Sequence, residues 1–331
     1  MTSPLRQVLV TGASGFLGGH VVRTLESRGL RVHAHGRDAS RLAFDGTVQT
    51  IRGDLSDLAT LIAAAQGCDA IVHTAALSAP WGTARDFIDA NVTGTANVIA
   101  AARAAGVRRL IHISSPAVIF DGRDQYLVDD AAPCAARHPS RYGQTKHLAE
   151  LLVQTAAGSL ETVVLRPKAI YGEGDRALVP RLLRAARARR LPQIGAGTNE
   201  VDVTHVDDAV QAIECALDTT TGLGQTFLIT GDEHVPLWAM IRALLHGVGL
   251  PAPHRRISLP VALTVAGAME AIAMISGREP TLTRYSAMIL GRTQTYDISR
   301  AKQLLGYAPR VRSADGVART IDALRRTGVA T

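Results

Sequence analysis

An α/β fold, with a doubly wound parallel sheet and a smaller C-terminal lobe, is predicted by three observations. Short apolar runs alternate with helical stretches to about residue 175, the pattern of strands joined by crossover helices. A glycine-rich turn, Thr11-Gly12-Ala13-Ser14-Gly15-Phe16-Leu17-Gly18, joins the first run to the first helix. Beyond that point the segments turn irregular, which suits a lobe assembled from discontinuous pieces. The candidate strands are 7–11, 31–35, 48–51, 69–74, 109–114 and 162–166. The expected organisation is a nucleotide-binding core over 1–167, rejoined by 201–231, with a substrate lobe from 168–200 and 232–331.

Gln7 to Val10 reads as a buried strand, and Phe16 to Ser27 as a helix with Phe16, Leu17, Val21, Val22 and Leu25 apolar. Between them Gly12, Gly15 and Gly18 recur every third residue. Glycine there permits positive φ and close approach of backbone to a diphosphate. The helix N-terminus adds free N–H groups and a positive dipole end. An ordinary glycine-rich βα turn is the plain alternative, but position and flanking elements favour a dinucleotide.

The second strand ends in Gly36-Arg37, with no carboxylate where an NAD enzyme usually holds the ribose hydroxyls. A cation at that point suits a 2′-phosphate, so NADPH is the expected cofactor and NAD the alternative. Arg37 could equally be a solvated loop charge. Farther on, Arg109-Leu-Ile-His-Ile-Ser114-Ser115 reads as a strand ending in two serines, at the sheet edge where ligands collect. Tyr142 and Lys146 are four apart in a helical stretch, which puts both on one face. An ammonium beside a phenol lowers the phenol pKa, and such a phenol can pass a proton to or from an alcohol or carbonyl oxygen. Alone, the pair is weak evidence, because many helices carry it by chance.

Together the turn, Ser114-Ser115 and Tyr142-x-x-x-Lys146 resemble the extended short-chain dehydrogenase/reductase family, whose fold is Rossmann-like. Further matches are Asp54-Leu55, Thr74-Ala75-Ala76, Asn91-Val92-x-Gly94-Thr95, Leu165-Arg166-Pro167 with Tyr171-Gly172, and Val206-Asp207-Asp208. The resemblance implies Ser115, Tyr142 and Lys146 as the catalytic group. It places Gly12, Ser14, Gly15, Phe16, Leu17, Gly18, Arg37, Asp54, Leu55, Thr74, Ala75, Ala76, Asn91, Tyr142, Lys146 and Pro167 around the cofactor. Arg278 to Tyr285, Thr295 to Ile298 and Leu305-Gly306-Tyr307-x-Pro309 resemble the 3β-hydroxysteroid dehydrogenase-like branch. That branch contains steroid and sterol-carboxylate dehydrogenases and bacterial 2-alkyl-3-ketoalkanoate reductases. The implied activity is interconversion of a ketone and a secondary alcohol on a long apolar substrate, first a 2-alkyl-3-ketoalkanoate and second a steroid or sterol. Sugar-nucleotide epimerases share the fold but usually carry the acid that Gly36 replaces.

Composition bounds the partners. The 331 residues are 47% hydrophobic and only 4% aromatic, with a formal charge of +7. Arginines such as Arg184, Arg187, Arg189 and Arg190 follow a helical stretch without interleaved aromatics, so a solvated face is expected and nucleic acid is not. Cys68, Cys134 and Cys215 are singly spaced, and His73, His112 and His205 lack partners at ligand spacing, so no metal is expected. The glycine turn begins almost at once, without a charged leader and apolar stretch; a cytoplasmic location is expected. Ile257 to Ser276 is nearly all apolar but interrupted by Pro260, Gly267 and Glu270. A helix or broken pair covering an apolar substrate tunnel is expected, with peripheral membrane contact or other pathway enzymes as further partners. One of the flanking Arg255, Arg256, Arg278 and Arg284 is expected to clamp a substrate carboxylate. By resemblance a homodimer through Thr95 to Ala105 and Tyr142 to Ala157 is implied.

Overall fold

A computed structural model describes residues 5–44 and 46–327; the outer ends of the two expected domain ranges lie outside these. Seven strands form one all-parallel sheet: β1 Gln7–Thr11, β2 Arg31–Gly36, β3 Val48–Arg52, β4 Ala70–His73, β5 Arg109–Ile113, β6 Glu161–Pro167 and β7 Thr226–Ile229. Their order is β7-β6-β5-β4-β1-β2-β3. The chain therefore moves outward from β1 in one direction and then restarts at β4 in the other. Between β1 and β4 the crossovers diverge, and the carboxyl ends of the strands leave a crevice there.

Strand alternation decides what each face buries. Val8 and Val10 of β1 point to a core shared with α1 (Phe16–Ser27) and α6 (Val206–Asp218), whereas Leu9 points to one shared with α2 (Leu58–Ala65), α3 (Gly94–Ala104) and α4 (Arg141–Ala156). Both faces of the sheet are thus covered, as a parallel sheet requires. The 201–231 stretch supplies α6 and β7 to this layer.

A third core gathers Tyr171, Val179, Leu183, Ile194, Trp238, Ile241 and Ala287. It lies among α5 (Leu178–Arg187), α7 (Leu237–Gly247), α8 (Leu259–Ser276), α9 (Arg284–Gly291) and α10 (Ser313–Arg326). A small sheet of Val235–Pro236, Glu200–Val201, Gln294–Tyr296 and Gln125–Val128 adjoins them.

Of the helix or broken pair expected over 257–276, the structure has the single helix. Pro260 falls in the first turn of α8, where its missing N–H costs nothing. Gly277 closes the helix in the left-handed region at φ 69°, donating to Ala273 O. Only Ala262, Ala266 and Ala273 of α8 are buried, while Val261, Val265, Ile272, Met274 and Ile275 are exposed. Most of this helix therefore lies outside any tunnel.

Candidate active site

The glycine turn is built by close packing between the ends of β1 and β4. Gly12 has φ 75° and Gly15 N–H donates to Gly12 O at 2.8 Å. A Cβ on Gly12 would lie 2.7 Å from Ala75 N and 2.8 Å from Thr74 Oγ1; one on Gly18 would lie 2.2 Å from Gly12 O. Thr74 is held in turn, its N–H and hydroxyl both donating to Thr11 O at 3.2 and 2.7 Å. No side chain caps the N-terminus of α1, so its first N–H groups remain available to an anion.

The neighbouring residues complete that recess. A Cβ on Gly36 would lie 2.7 Å from Ser14 Oγ, so the end of β2 closes directly onto the turn. Phe16 lies edge-on to His20, the ring centroids 5.5 Å apart, and Leu17 packs on the core behind. Ala75 is half-buried and Ala76 exposed. The Arg37 guanidinium is 82% exposed and 3.7 Å from the Asp54 carboxylate, so it projects from the end of β2 instead of folding into the protein. Asp54 accepts from Ser56 N–H at 2.9 Å and Ser56 Oγ at 2.8 Å, which hold its carboxyl below the usual range. Leu55 packs where a side chain on Gly94 would stand, and Asn97 Nδ2 donates to its carbonyl at 2.8 Å. Close-approach glycines and free N–H groups fit the diphosphate of a dinucleotide.

Ser115 follows β5 and caps a short turn, accepting from Ala117 N–H at 3.2 Å. That turn meets α4 closely, because a Cβ on Gly143 would lie 2.6 Å from Ala117 O. Gly143 therefore lets the first turn of α4 approach β5, and Tyr142 arrives beside Ser115. The phenol interacts with the hydroxyls of Ser115 and Ser78, both of which lower its pKa. Burial acts more strongly and leaves the net pKa raised. The neighbouring Ser114 hydroxyl is buried without a hydrogen-bond partner among the described residues.

Lys146 departs from the expected arrangement. It is 1% exposed, and its Nζ donates to Ile113 O at 2.6 Å and lies 3.2 Å from His112 Nε2. Burial lowers its own pKa to about 8, opposed by Glu150. The four-residue spacing does put Lys146 on the face of Tyr142, but the ammonium reaches past the phenol to the end of β5. In this structure the groups acidifying the phenol are the two serines.

Behind the phenol lies a buried polar chain. His73 Nε2 is 3.0 Å from Thr95 Oγ1, which itself donates to Asn91 O at 2.7 Å. Thr95 must therefore accept from His73, which leaves Nδ1 to accept from Thr11 Oγ1 at 2.7 Å. Asn91 sits in a π-helical turn, Ile88–Thr93. Its side chain accepts from Leu77 N–H at 2.7 Å and donates to Thr145 Oγ1 at 3.0 Å, tying the loop after β4 to α4. Pro167 is buried at the end of β6 and pairs in register with Ile229. Arg166, just before it, forms a bidentate pair with Glu150 at 2.9 and 2.6 Å.

Three further residues lie in this region. Ser78 reaches the phenol from the loop after β4. Tyr285 stands beside Tyr142 and interacts with Ser140, though its sequence context marked only a family branch. Lys168 is buried next to Pro167, where a following lysine could equally have faced water. Of the four arginines among which one clamp is expected, two are engaged elsewhere and two face solvent. Arg284 donates to Glu270 at 2.7 Å, Arg256 donates to Gly195 O at 2.8 Å, and Arg255 and Arg278 are exposed. Among the described residues no cluster of histidine, cysteine and acidic groups could hold a metal.

Known proteins are similar to this chain along almost its whole length. A 2-alkyl-3-oxoalkanoate reductase of Stenotrophomonas maltophilia (strain K279a) is 37% identical over 324 residues, 95% of this chain and 98% of that one. A 3beta-hydroxysteroid-dehydrogenase/decarboxylase (isoform 1) of Arabidopsis thaliana is 32% identical over 352 residues, 97% of this chain and 80% of that one. The solved structure of MoeE5 in complex with UDP-glucuronic acid and NAD superposes with a TM-score of 0.77 at 28% identity, covering 97% of this chain and 99% of that chain. The sequence pattern of the NAD dependent epimerase/dehydratase family matches residues 8–229, which span the glycine turn, Ser115, Tyr142 and Lys146. On this match, and on the fold it accompanies, the chain belongs to the NAD dependent epimerase/dehydratase family, the extended short-chain dehydrogenases/reductases.

Proposed function

We propose that the protein is an NADPH-dependent reductase of 2-alkyl-3-oxoalkanoates, converting the ketone to a secondary alcohol. The observation that carries the chemistry is the contact of the Tyr142 phenol with the Ser115 hydroxyl at the carboxyl edge of the sheet. Gly12, Ser14, Gly15, Phe16, Leu17 and Gly18 would hold the dinucleotide diphosphate, with Thr74, Ala75 and Ala76 closing the opposite wall. Asp54 and Leu55 would border the adenine, and Pro167 the carboxamide. The bound dinucleotide supplies the hydride. Ser115 and Tyr142 donate hydrogen bonds to the substrate oxygen, where negative charge develops, and Tyr142 delivers its proton there. Lys146 keeps a positive charge behind the reacting group, and Asn91 fixes the loop against α4.

NADP as the specific cofactor is supported by exposed Arg37 and by Gly36 in place of an acid. Arg37→Glu should raise the KM for NADPH at least tenfold and leave that for NADH within a few-fold; equal changes for both would remove Arg37 from the site. Tyr142→Phe should cut turnover by about a hundredfold or more while NADPH still binds. Wild-type turnover in that variant would end the assignment. The substrate rests on the similarity to the reductase of Stenotrophomonas maltophilia. A steroid or sterol dehydrogenase is the second reading, favoured by the Arabidopsis relative, and parallel assays with a 3-keto steroid separate the two.

The substrate lobe in this reading comprises 168–200 and 232–327, packed on a core that 201–231 rejoins. A homodimer is supported by Leu148 and Leu151, exposed on α4; sedimentation of Leu151→Arg as a monomer would agree with it. The enzyme is placed in the cytoplasm, with α8 resting on an anionic bilayer. Its exposed apolar side chains and exposed Arg255, Arg256 and Arg278 support this. Flotation with phosphatidylserine vesicles that fails as completely as with neutral ones would reject it.

A further inference from the structure

Two of the three lysines in this chain are buried beside the site. Lys146 belongs to the catalytic group. Lys302 is on the surface, paired with Asp232. Lys168 is the first residue after β6 and is 8% exposed. Its backbone is fixed, its N–H donating to Ile229 O at 3.0 Å and its carbonyl accepting from Thr204 Oγ1 at 2.7 Å. Where the side chain goes is therefore set by the fold.

The Lys168 ammonium donates to Gln294 Oε1 at 2.5 Å and stands 5.8 Å from the centroid of the Tyr296 ring. The amide of Gln294 is its one hydrogen-bond partner among the described residues, so its other two N–H bonds have no acceptor there. Asp202 is the acid that acts on it electrostatically. Both Asp202 oxygens are already engaged, one by His234 Nδ1 at 2.6 Å and the other by Tyr296 N–H at 2.9 Å. Burial accordingly dominates, and the ammonium is depressed to about 8. A buried cation with one neutral partner is costly, and an arriving anion would relieve it.

The position of Lys168 relative to the phenol suits such an anion. Tyr285 interacts with Tyr142 on one side and with Tyr296 on the other. Tyr296 is pinned by its hydroxyl, which donates to Gln125 Oε1 at 3.0 Å. Tyr285 thus couples electrostatically to both the proton donor and the ring beneath the ammonium. The four-carbon stem lets Nζ leave Gln294 for a stronger acceptor. The exposed arginines that flank α8 have no comparable connection to Tyr142.

We propose that Lys168 is the substrate-binding residue that recognises the carboxylate of a 3-oxo or 3-hydroxy acid. This rests on the ketone reductase reading above, and it assigns the acid end of that substrate to a residue with no role in the hydride step. Aliphatic 3-oxo acids lose carbon dioxide on standing, so the test runs in the oxidative direction. Initial rates with NADP are measured for a 2-alkyl-3-hydroxyalkanoate and for the secondary alcohol of the same chain without the carboxylate. Lys168→Met should lower kcat/KM for the acid about 10- to 100-fold, with the change mostly in KM, and leave the alcohol within threefold. Lys168→Arg should recover part of the loss, and NADPH binding, followed by fluorescence, should match wild type in both variants. An equal loss on both compounds, or none on the acid, would overturn the carboxylate contact while leaving the reductase reading intact. Wild-type enzyme idle on both compounds would instead overturn the reductase reading, and this proposal with it.

Discussion

Gly18 and Gly19 are adjacent on α1 and respond oppositely to a methyl group. A Cβ on Gly18 would lie 2.2 Å from Gly12 O, 2.7 Å from Gly12 C and 2.8 Å from Thr74 Oγ1. Two of those atoms are backbone of the tight turn and cannot rotate away. On Gly19 the nearest atom is Ala13 O at 3.5 Å, an ordinary contact. Glycine to alanine inside a helix gains about 1 kcal/mol from propensity. Gly19→Ala should therefore be neutral or stabilised by up to that amount. Overpacking against fixed atoms costs about 1–3 kcal/mol, and the 2.2 Å approach belongs at the upper end. Gly18→Ala should then be destabilised by a net ~2 kcal/mol. With an unfolding entropy near 2 cal/mol/K per residue, that is a fall in Tm of roughly 3 °C, read by differential scanning calorimetry. The same movement of Gly12 displaces the recess wall, so Gly18→Ala should also bind NADPH at least tenfold more weakly, measured by fluorescence titration. Equal stability and equal affinity for the two variants would refute the close packing of the turn.

Other consequences are equally open to measurement. Ser78→Ala removes one of the two hydroxyls that lower the Tyr142 pKa, so the ascending limb of kcat/KM for alcohol oxidation should move to higher pH; an unmoved profile would exclude Ser78 from the site. Asp130 is buried, with its carboxyl pushed up to about 6 by burial against the opposing Leu228 N–H and Arg300. The native state then holds more protons than the unfolded chain between about pH 4 and 6, so this group lowers stability as pH rises through that window. Asp130→Asn should stabilise at pH 7.5 by up to about 3 kcal/mol and confer nothing at pH 4; a gain that ignores pH would contradict this. Glu150 and Arg166 are 1% and 4% exposed, so Glu150→Ala should cost about 3–5 kcal/mol in urea unfolding by stranding a buried guanidinium.

The sheet was legible because its strands are short, apolar and evenly interrupted. All six expected strands fall within or around observed ones, for example 48–51 within Val48–Arg52 and 69–74 around Ala70–His73. The seventh, Thr226–Ile229, has only four residues and could be placed no more finely than the returning 201–231 stretch. In the second lobe most strands are two residues long, such as Glu200–Val201 and Arg256–Ile257. No period of two can show itself over such lengths. Pro260 left both a single helix and a broken pair open because a proline marks either a break or a beginning, and only tertiary placement of α8 decides which. Ser115 and Tyr142 could be placed from the sequence, one just after a strand and the other within a helix. Tyr285 could not, because its nearness to the phenol comes from packing between distant segments.

Lys146 shows how far spacing alone carries an electrostatic claim. Positions four apart on a helix share a face, but a lysine head can reach several ångströms along it in any direction. Here an acceptor in reach is the Ile113 carbonyl at the carboxyl end of β5, and a buried ammonium goes where it is best hydrogen-bonded. His112 cannot compete for the charge, since burial and then Lys146 itself hold its pKa far below normal. The cation is therefore fixed at the sheet edge with the phenol held separately by Ser115 and Ser78. Tyr142 stays protonated in this arrangement, which is the form a ketone reduction needs at its start. Oxidation needs the opposite form, so its rate should depend on pH far more steeply than that of reduction. A pH dependence of equal steepness in the two directions would mean that Lys146 reaches the phenol after all.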